Sequence, residues 1–232
     1  MSNIEPLTIW VHGKGPNPKK VIIVLEELGI PYKTILVADP KAESYTKINP
    51  NGRLPAIEDP NNNGLILWES GAIIEYLVET YDKEHKLTFT SGPEKWYLKQ
   101  YLHFQMSGQG PYYGQAVWFH VFHPEDVPAA KDRYKEQMVR VIQVLDEILE
   151  GKEWLVGGKW YITYPHLSSY LQLLTHLSTY ADLACVPWNI LVPIVDNAWE
   201  KYEVETKYTN FNAWHQRLLA RPAVQKGLID PA

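Results

Sequence analysis

The run Asn49-Pro50-Asn51-Gly52-Arg53-Leu54-Pro55-Ala56-Ile57, followed by Trp68-Glu69-Ser70-Gly71-Ala72-Ile73-Ile74, constrains this chain more than any other feature. Proline cannot donate to a sheet ladder. Pro55 follows an apolar residue at the entrance to a strand, and it suits that place if the bond before it is cis. Leu54 then turns its N–H and C=O outward, toward a ligand. A short hairpin later, Glu69-Ser70-Gly71 opens an amphipathic helix, whose first N–H groups and positive dipole end suit a carboxylate. An exposed peptide edge beside an anion-binding helix start fits a small peptide with a free carboxylate.

The pattern around these runs predicts an α+β chain. Residues 7–12 alternate as a strand. Residues 18–28 carry Val21, Ile22, Val24, Leu25 and Leu28 at helical spacing and end at Gly29. Lys19 and Lys20 read as the solvated face of that helix. Residues 32–37 form a second strand and 41–48 a short helix. Strands at 54–58 and 65–68 flank a Pro-Asn-Asn-Asn-Gly hairpin loop at 59–64, and a helix follows over 70–81. The order β-α-β, linking helix, β-β-α predicts a thioredoxin-like domain with a mixed four-stranded sheet over residues 1–85.

A polar linker around 82–91 leads to an all-α bundle over 92–232. Residues 94–122 read as one long helical stretch, kinked or broken at Gly108-Gln109-Gly110-Pro111. Residues 128–150 form a cleaner helix with Met138, Val141, Ile142, Leu145, Ile148 and Leu149 on one face. Thr179-x-x-Asp182 is a helix-start signal of the capping-box type. Residues 211–219, then Arg221-Pro222-Ala223-Val224, close the bundle.

Bulk properties narrow the class. At 232 residues the chain can bury a sizeable core, and its net charge of −5 gives no support to a nucleic-acid or anionic-membrane partner. No apolar segment approaches the ~20 residues of a membrane span. The start has no basic, then apolar, leader, and the single cysteine, Cys185, excludes an internal disulfide framework, so a reducing, cytoplasmic setting is expected. Cys185, among apolar residues, reads as buried and inert. His103, His120 and His123 lack a carboxylate or thiol to complete a ligand set, so no metal is expected. Nine tryptophans and fifteen tyrosines suit an aromatic cleft or an aromatic core.

The Arg53-Leu54-Pro55 and Trp68-Glu69-Ser70-Gly71-Ala72-Ile73 motifs resemble the glutathione-binding half of the cytosolic glutathione transferases. With Gly13-x-Gly15-Pro16-Asn17-x-x-Lys20-Val21 and Gln105-x-Ser107-Gly108-x-x-Pro111, the resemblance is to the fungal class related to the yeast nitrogen-regulatory prion protein. It implies that glutathione is the co-substrate and pairs with the Leu54 backbone ahead of Pro55. Ser70 and the helix start would take its γ-Glu carboxylate, and Glu69 its ammonium. Arg53 would hold a carboxylate or make a structural ion pair, and Lys41 is a candidate for the glycine end. The loop after the first strand offers no hydroxyl or thiol. The class implies that Asn17 lies beside the sulfur, while Asn17-Pro18 also reads as a helix cap followed by the first helical residue. Gln105, Gln109, Pro111, Tyr112, Gln115 and Phe119 would face a hydrophobic electrophile across the domain cleft.

The resemblance further implies a homodimer and conjugation of the glutathione thiolate. Two rivals are another glutathione-dependent enzyme (a peroxidase or isomerase) and a non-catalytic regulator, although the chain lacks the Asn/Gln-rich tail associated with the regulator. One segment does not fit. Residues 161–178 separate Trp154-Leu155-Val156-Gly157-Gly158-Lys159 from Thr179-Tyr180-Ala181-Asp182, two pieces of one family motif that normally lie almost adjacent. Either the segment is a surface insertion, which chain entropy tolerates, or it is a retained intron. Trp160-Tyr161 can be encoded with a GTAT donor, Leu174-Thr175 with a CTGAC branch-like string and Ser178 with a terminal AG.

Overall fold

The computed structural model describes residues 4–13, 15–157 and 178–230; the anomalous segment, apart from Ser178, lies outside them. These residues divide into two compact units, one within 1–85 together with 220–232 and one within 86–219.

The first unit is the thioredoxin-like domain. Strands β1 (Leu7–Val11), β2 (Tyr32–Leu36), β3 (Ala56–Asp59) and β4 (Leu65–Trp68) form a mixed sheet in the order β2-β1-β3-β4. β1 runs parallel to β2 and antiparallel to β3, and β3 pairs antiparallel with β4. β1 is buried along its whole length. Helix α1 (Pro16–Leu28) ends at Gly29, whose φ of 65° is the left-handed cap that glycine supplies readily. The unit also holds α2 (Glu43–Thr46) and α3 (Ser70–Tyr81).

The β3–β4 loop is more ordered than its composition suggests. Asp59 caps a 3₁₀ turn at Pro60–Asn62 by accepting from the Asn61 N–H. Its buried carboxylate also accepts from the Tyr76 and Tyr81 hydroxyls of α3. Burial works to raise the Asp59 pKa, but these hydrogen bonds outweigh it and hold the carboxyl below its usual range.

The last helix departs from the expected helical bundle. The helix Pro222–Leu228 packs on α1, within the first unit. A Cβ on Gly227 would sit 2.6 Å from the Ile23 side chain and 3.0 Å from the Ile23 backbone nitrogen, so only glycine permits this approach. Arg221 forms a two-pronged ion pair with Glu27 at 2.6 and 2.7 Å, Lys226 pairs with Glu26 at 2.8 Å, and Lys19 pairs with Asp230 at 2.8 Å.

In the second unit, α4 (Gly92–Phe104) does not break at the glycines. It widens into a π turn at Gln105–Gln109, continues as α5 (Gly110–Val117) and widens again at Trp118–Phe122. A π turn adds a residue per turn without losing the helix axis, which reconciles Gly108, Gly110 and Pro111 with a continuous rod. α6 (Pro128–Ile148) buries Met138, Val141, Ile142 and Leu145, as its spacing predicts. α7 (Tyr180–Asn189) is buried throughout. The short α8 (Ala198–Lys201) and α9 (Val204–Lys207) lead to α10 (Thr209–Leu219), and the final helix, Pro222–Leu228, is α11.

Asp182 organises this unit. The capping box is formed: Asp182 accepts from the Thr179 N–H at 2.8 Å and from its hydroxyl at 2.7 Å. It also accepts from the Leu155 N–H and the Trp214 indole N–H, each at 2.8 Å. One carboxylate thus joins α7, α10 and the 154–156 segment. Burial pushes its pKa up, against the pull of those four donors. Asp182→Ala strands buried donors, so the variant should lose about 3–5 kcal/mol, measured by denaturant unfolding; a loss under about 1 kcal/mol contradicts this role.

His215 on α10 is buried against Phe211 and Trp199, with its Nδ1 unpartnered among the described residues. Desolvation lowers its pKa to about 4. Between that value and an unfolded pKa of ~6.5, only the unfolded chain takes up the proton, so stability falls as pH drops through this window. At pH 4.5 wild type should have lost about 2–3 kcal/mol more, relative to pH 7, than His215→Gln. Parallel stability–pH curves for the two proteins would rule this out.

Candidate functional site

Strand register brings three elements to one end of the sheet. Ala56 lies opposite Trp68, so the chain entering β3 at Leu54-Pro55 and the chain leaving β4 at Glu69-Ser70 emerge side by side. Ala56 also lies opposite Trp10, near the end of β1, so the loop into α1 opens at the same place. The Leu54–Pro55 peptide bond is cis. The Leu54 N–H and C=O make no hydrogen bond with other described residues. The peptide edge read from the sequence is therefore present.

The turn before it is built to hold that edge. The Arg53 carbonyl accepts from the Tyr45 hydroxyl at 2.8 Å and from the Asn49 amide at 2.7 Å. Asn49 in turn accepts from the Asn51 N–H at 3.0 Å, through its side chain, and from the Gly52 N–H at 2.9 Å, through its backbone. Gly52 has φ of 58°, and a Cβ there would meet the Pro40 carbonyl oxygen at 2.7 Å. Burial raises the Tyr45 pKa, so its hydroxyl stays a donor. Tyr45 was not singled out from sequence; its signal was an aromatic in a short polar helix just before an Asn-Pro-Asn-Gly turn.

Glu69 caps α3 with φ of 75° and ψ of 111°, a conformation unusual for a side-chain-bearing residue, and its side chain is exposed. Positive φ at a non-glycine residue is found where surrounding structure over-determines it, often at ligand sites. Ser70 and Gly71 form the buried first turn of α3. Arg53 is exposed and makes no ion pair with other described residues. Lys41 does not extend into solvent as a loose side chain; its Nζ donates to the Asn51 carbonyl at 2.9 Å.

Asn17 departs from one of its two readings. α1 begins at Pro16 with Gly15 as its cap, so Asn17 is the second helical residue and does not cap the helix. It sits in the first turn, half-buried, where N–H groups and the dipole favour an anion. Lys20, expected in solvent, is 1% exposed, and its Nζ lies 3.4 Å from the Ser70 hydroxyl. Lys19 is also largely covered, through its ion pair with Asp230. The solvated-face reading of both lysines is corrected: Lys20 is enclosed beside the start of α3, and Lys19 is covered through Asp230, about 200 residues away in sequence.

The residues expected at the electrophile separate into two groups. Gln105 and Gln109 are both 0% exposed and form an interior polar ladder. Gln105 donates to Gln109 at 3.1 Å, and Gln109 donates to Asn189 of α7 at 2.7 Å. They are corrected from ligand-facing to structural: both lie in the π turn at Gln105–Gln109 with their side chains buried against α7. Pro111 and Gln115 are exposed and Tyr112 and Phe119 half-buried. Tyr112 lies under the Arg140 guanidinium at 5.8 Å, and Phe119 stacks on Tyr134 at 5.5 Å. Cys185 is buried. His120 bonds the Ala116 carbonyl of its own helix, and among the described residues no group of three or more His, Cys, Asp or Glu side chains could hold a metal. No helix among them is long and apolar enough to cross a membrane.

Residues 15–80 match the glutathione S-transferase N-terminal domain. The glutathione S-transferase-like protein tpcF of Aspergillus fumigatus is 44% identical, over 99% of this chain and 98% of that protein. The solved glutathione transferase URE2P6 from Phanerochaete chrysosporium, in complex with oxidized glutathione, is 42% identical with a TM-score of 0.83, covering 98% of this chain and 96% of that one. Ure2p5 from the same fungus, cocrystallized with 1-(S-glutathionyl)-2,4-dinitrobenzene, is 36% identical with a TM-score of 0.82, covering 98% and 94%. With a site of this geometry and likeness along nearly its full length, the chain belongs to the glutathione transferase family, in its fungal Ure2-like branch.

Proposed function

We propose that this protein conjugates the thiolate of glutathione to a hydrophobic electrophile. The observation that carries the reading is the convergence of the α1 start, the unpaired Leu54 edge and the α3 start at one end of the sheet. Leu54 pairs with the cysteinyl unit of glutathione as an added strand. The first turn of α3 and the Ser70 hydroxyl take the γ-Glu carboxylate, and Glu69 takes its ammonium. Arg53 and Lys41 serve the glycine carboxylate. The Asn17 amide and the α1 dipole stabilise the sulfur anion, which at a free pKa of ~8.5 is otherwise mostly protonated at neutral pH. Pro111, Tyr112, Gln115 and Phe119 supply the surface for the electrophile. The thiolate forms the new C–S bond, and the leaving group or a proton on the electrophile balances the charge.

The likeness to relatives named glutathione S-transferase, and to one solved with a glutathionyl-dinitrobenzene conjugate, supports a site that takes glutathione with a substituent on its sulfur. The test uses a glutathione-affinity column and turnover of 1-chloro-2,4-dinitrobenzene. Asn17→Ala should raise the pKa of the bound thiol, read from thiolate absorbance, and lower kcat/KM about 10–100-fold, the worth of one hydrogen bond to a charged group. Unchanged turnover removes Asn17 from the mechanism. Retention of the wild type without conjugation, but with peroxide turnover, would favour a peroxidase. No retention would favour a regulator.

The turn that holds Leu54 yields a second expectation. Asn49→Ala removes one of two donors to the Arg53 carbonyl and should raise KM for glutathione several-fold while leaving the thiol pKa unmoved. An unchanged KM would show that Tyr45 alone suffices.

A further inference from the structure

We infer that Arg221 and Gly227, at the closing helix α11, are positioning residues for the glutathione thiolate, acting through α1. The inference rests on the glutathione reading above and extends it to residues at the far end of the chain.

α11 lies antiparallel along α1, and the contacts between them fix its register. Arg221 meets Glu27 in the last turn of α1, Lys226 meets Glu26, Gly227 meets Ile23, and Asp230, just past α11, meets Lys19 near the start of α1. The fit at Gly227 leaves no slack. A Cβ there would lie 2.6 Å from the Ile23 side chain and 3.0 and 3.1 Å from its backbone nitrogen and Cα. Backbone cannot rotate out of the way as a side chain can. The Arg221–Glu27 fork is placed against local preference. Glu27 stands in the last turn of α1, and Arg221 is the cap residue at the start of α11. Each of these helix ends favours the opposite charge. A two-pronged pair that opposes both helices serves neither alone; it serves the register between them.

What the register governs is the start of α1. Asn17 lies six residues before Ile23 in the same helix, about 9 Å along the axis, and a regular helix carries a displacement of its middle to its end. The pull of a helix start on an anion is confined to the first turn, and a hydrogen bond to the sulfur weakens steeply with distance and angle. A misplacement of about 1 Å is therefore felt at the thiolate. The Leu54 edge and the start of α3 are placed separately, by β3 and β4 of the sheet. Disturbing α11 thus weakens thiolate formation more than it weakens tripeptide binding. A helix that only covered apolar surface would change stability and leave the bound thiol as it was.

The experiment measures the pKa of the bound glutathione thiol from thiolate absorbance, glutathione affinity by calorimetry and stability by denaturant unfolding. The proteins are wild type, Gly227→Ala, Arg221→Gln and the charge swap Glu27→Arg/Arg221→Glu. Gly227→Ala and Arg221→Gln should each raise the pKa of the bound thiol by about half a unit, the worth of a helix end. Below that pKa the thiolate fraction, and with it turnover of 1-chloro-2,4-dinitrobenzene, should fall about threefold, while glutathione affinity stays within about twofold. The swap, which suits both helix ends, should return the thiol pKa to its wild-type value. A thiol pKa unmoved in both single variants, whatever their stability, overturns the inference and makes α11 a stabilising helix only. A raised pKa in Arg221→Gln that the swap leaves uncorrected overturns the role of the pair. If Gly227→Ala does not fold, Arg221→Gln and the swap decide on the same terms. A wild type that holds no glutathione, or holds it with the thiol at its free pKa, fails the glutathione reading itself, a result visible before any variant is made.

Discussion

The enclosure of helix α1 governs the N-terminal unit. Residues Lys20 to Leu25 are buried in unbroken succession, which no helix with a single core-facing stripe would show. Two of the covering surfaces are α3 and α11, the second of which the chain supplies only after completing the helical unit. Gly227 lets α11 approach the Ile23 backbone, and ion pairs from Arg221, Lys226 and Asp230 border the contact. A helix held this tightly cannot shift along its axis without breaking several contacts at once. Its first turn, with Asn17, is therefore fixed relative to the start of α3, with Ser70, and two anion-favouring helix ends open at the same end of the sheet.

Much of this domain was legible in the sequence because its signals are local. A proline at the head of a strand and a Glu-Ser-Gly at the head of a helix each act within a few residues, and strand spacing then brings them together. Thr179-x-x-Asp182 was readable for the same reason, since a capping box is contained in one turn. Lys20 was not readable. A lysine pair near a helix start has the composition of a solvated face, and what meets it comes from distant sequence, the start of α3 beside Lys20 and Asp230 beside Lys19. The Asn17 cap failed on a shift of two residues: Gly15 and Pro16 together start the helix earlier, with proline at its favoured first position.

The helical unit shows a different kind of illegibility. Gln105 and Gln109, four apart beside glycines, have the look of a ligand surface, because glutamine is usually exposed. Here they lie buried in a π turn, with Gln105 donating to Gln109 and Gln109 donating to the Asn189 side-chain oxygen. Which face a residue occupies depends on whether each turn holds 3.6 residues or about one more, and sequence periodicity assumes the first. Pro111, Tyr112, Gln115 and Phe119 stay at or near the surface. The fold thus divides these polar and aromatic residues into a ladder that binds helices to each other and a set left to meet solvent or a ligand.

The two halves also differ in what recognition demands of side chains. At the tripeptide site most of the proposed contacts are main-chain groups: the Leu54 edge and the first turn of α3. Side chains there mainly place backbone, as Tyr45 and Asn49 do by gripping the Arg53 carbonyl. Backbone recognition fixes the shape and charge of a ligand strictly, because moving a peptide group means moving the strand or helix that carries it. The aromatic surface of α5 and the π turn after it has no such constraint. Rings such as Tyr112 and Phe119 can be exchanged for others without altering a hydrogen-bond network, since their contacts are a cation over a ring face and a stacked pair. A scaffold built this way fixes the geometry of its main-chain edge while leaving its aromatic surface open to variation.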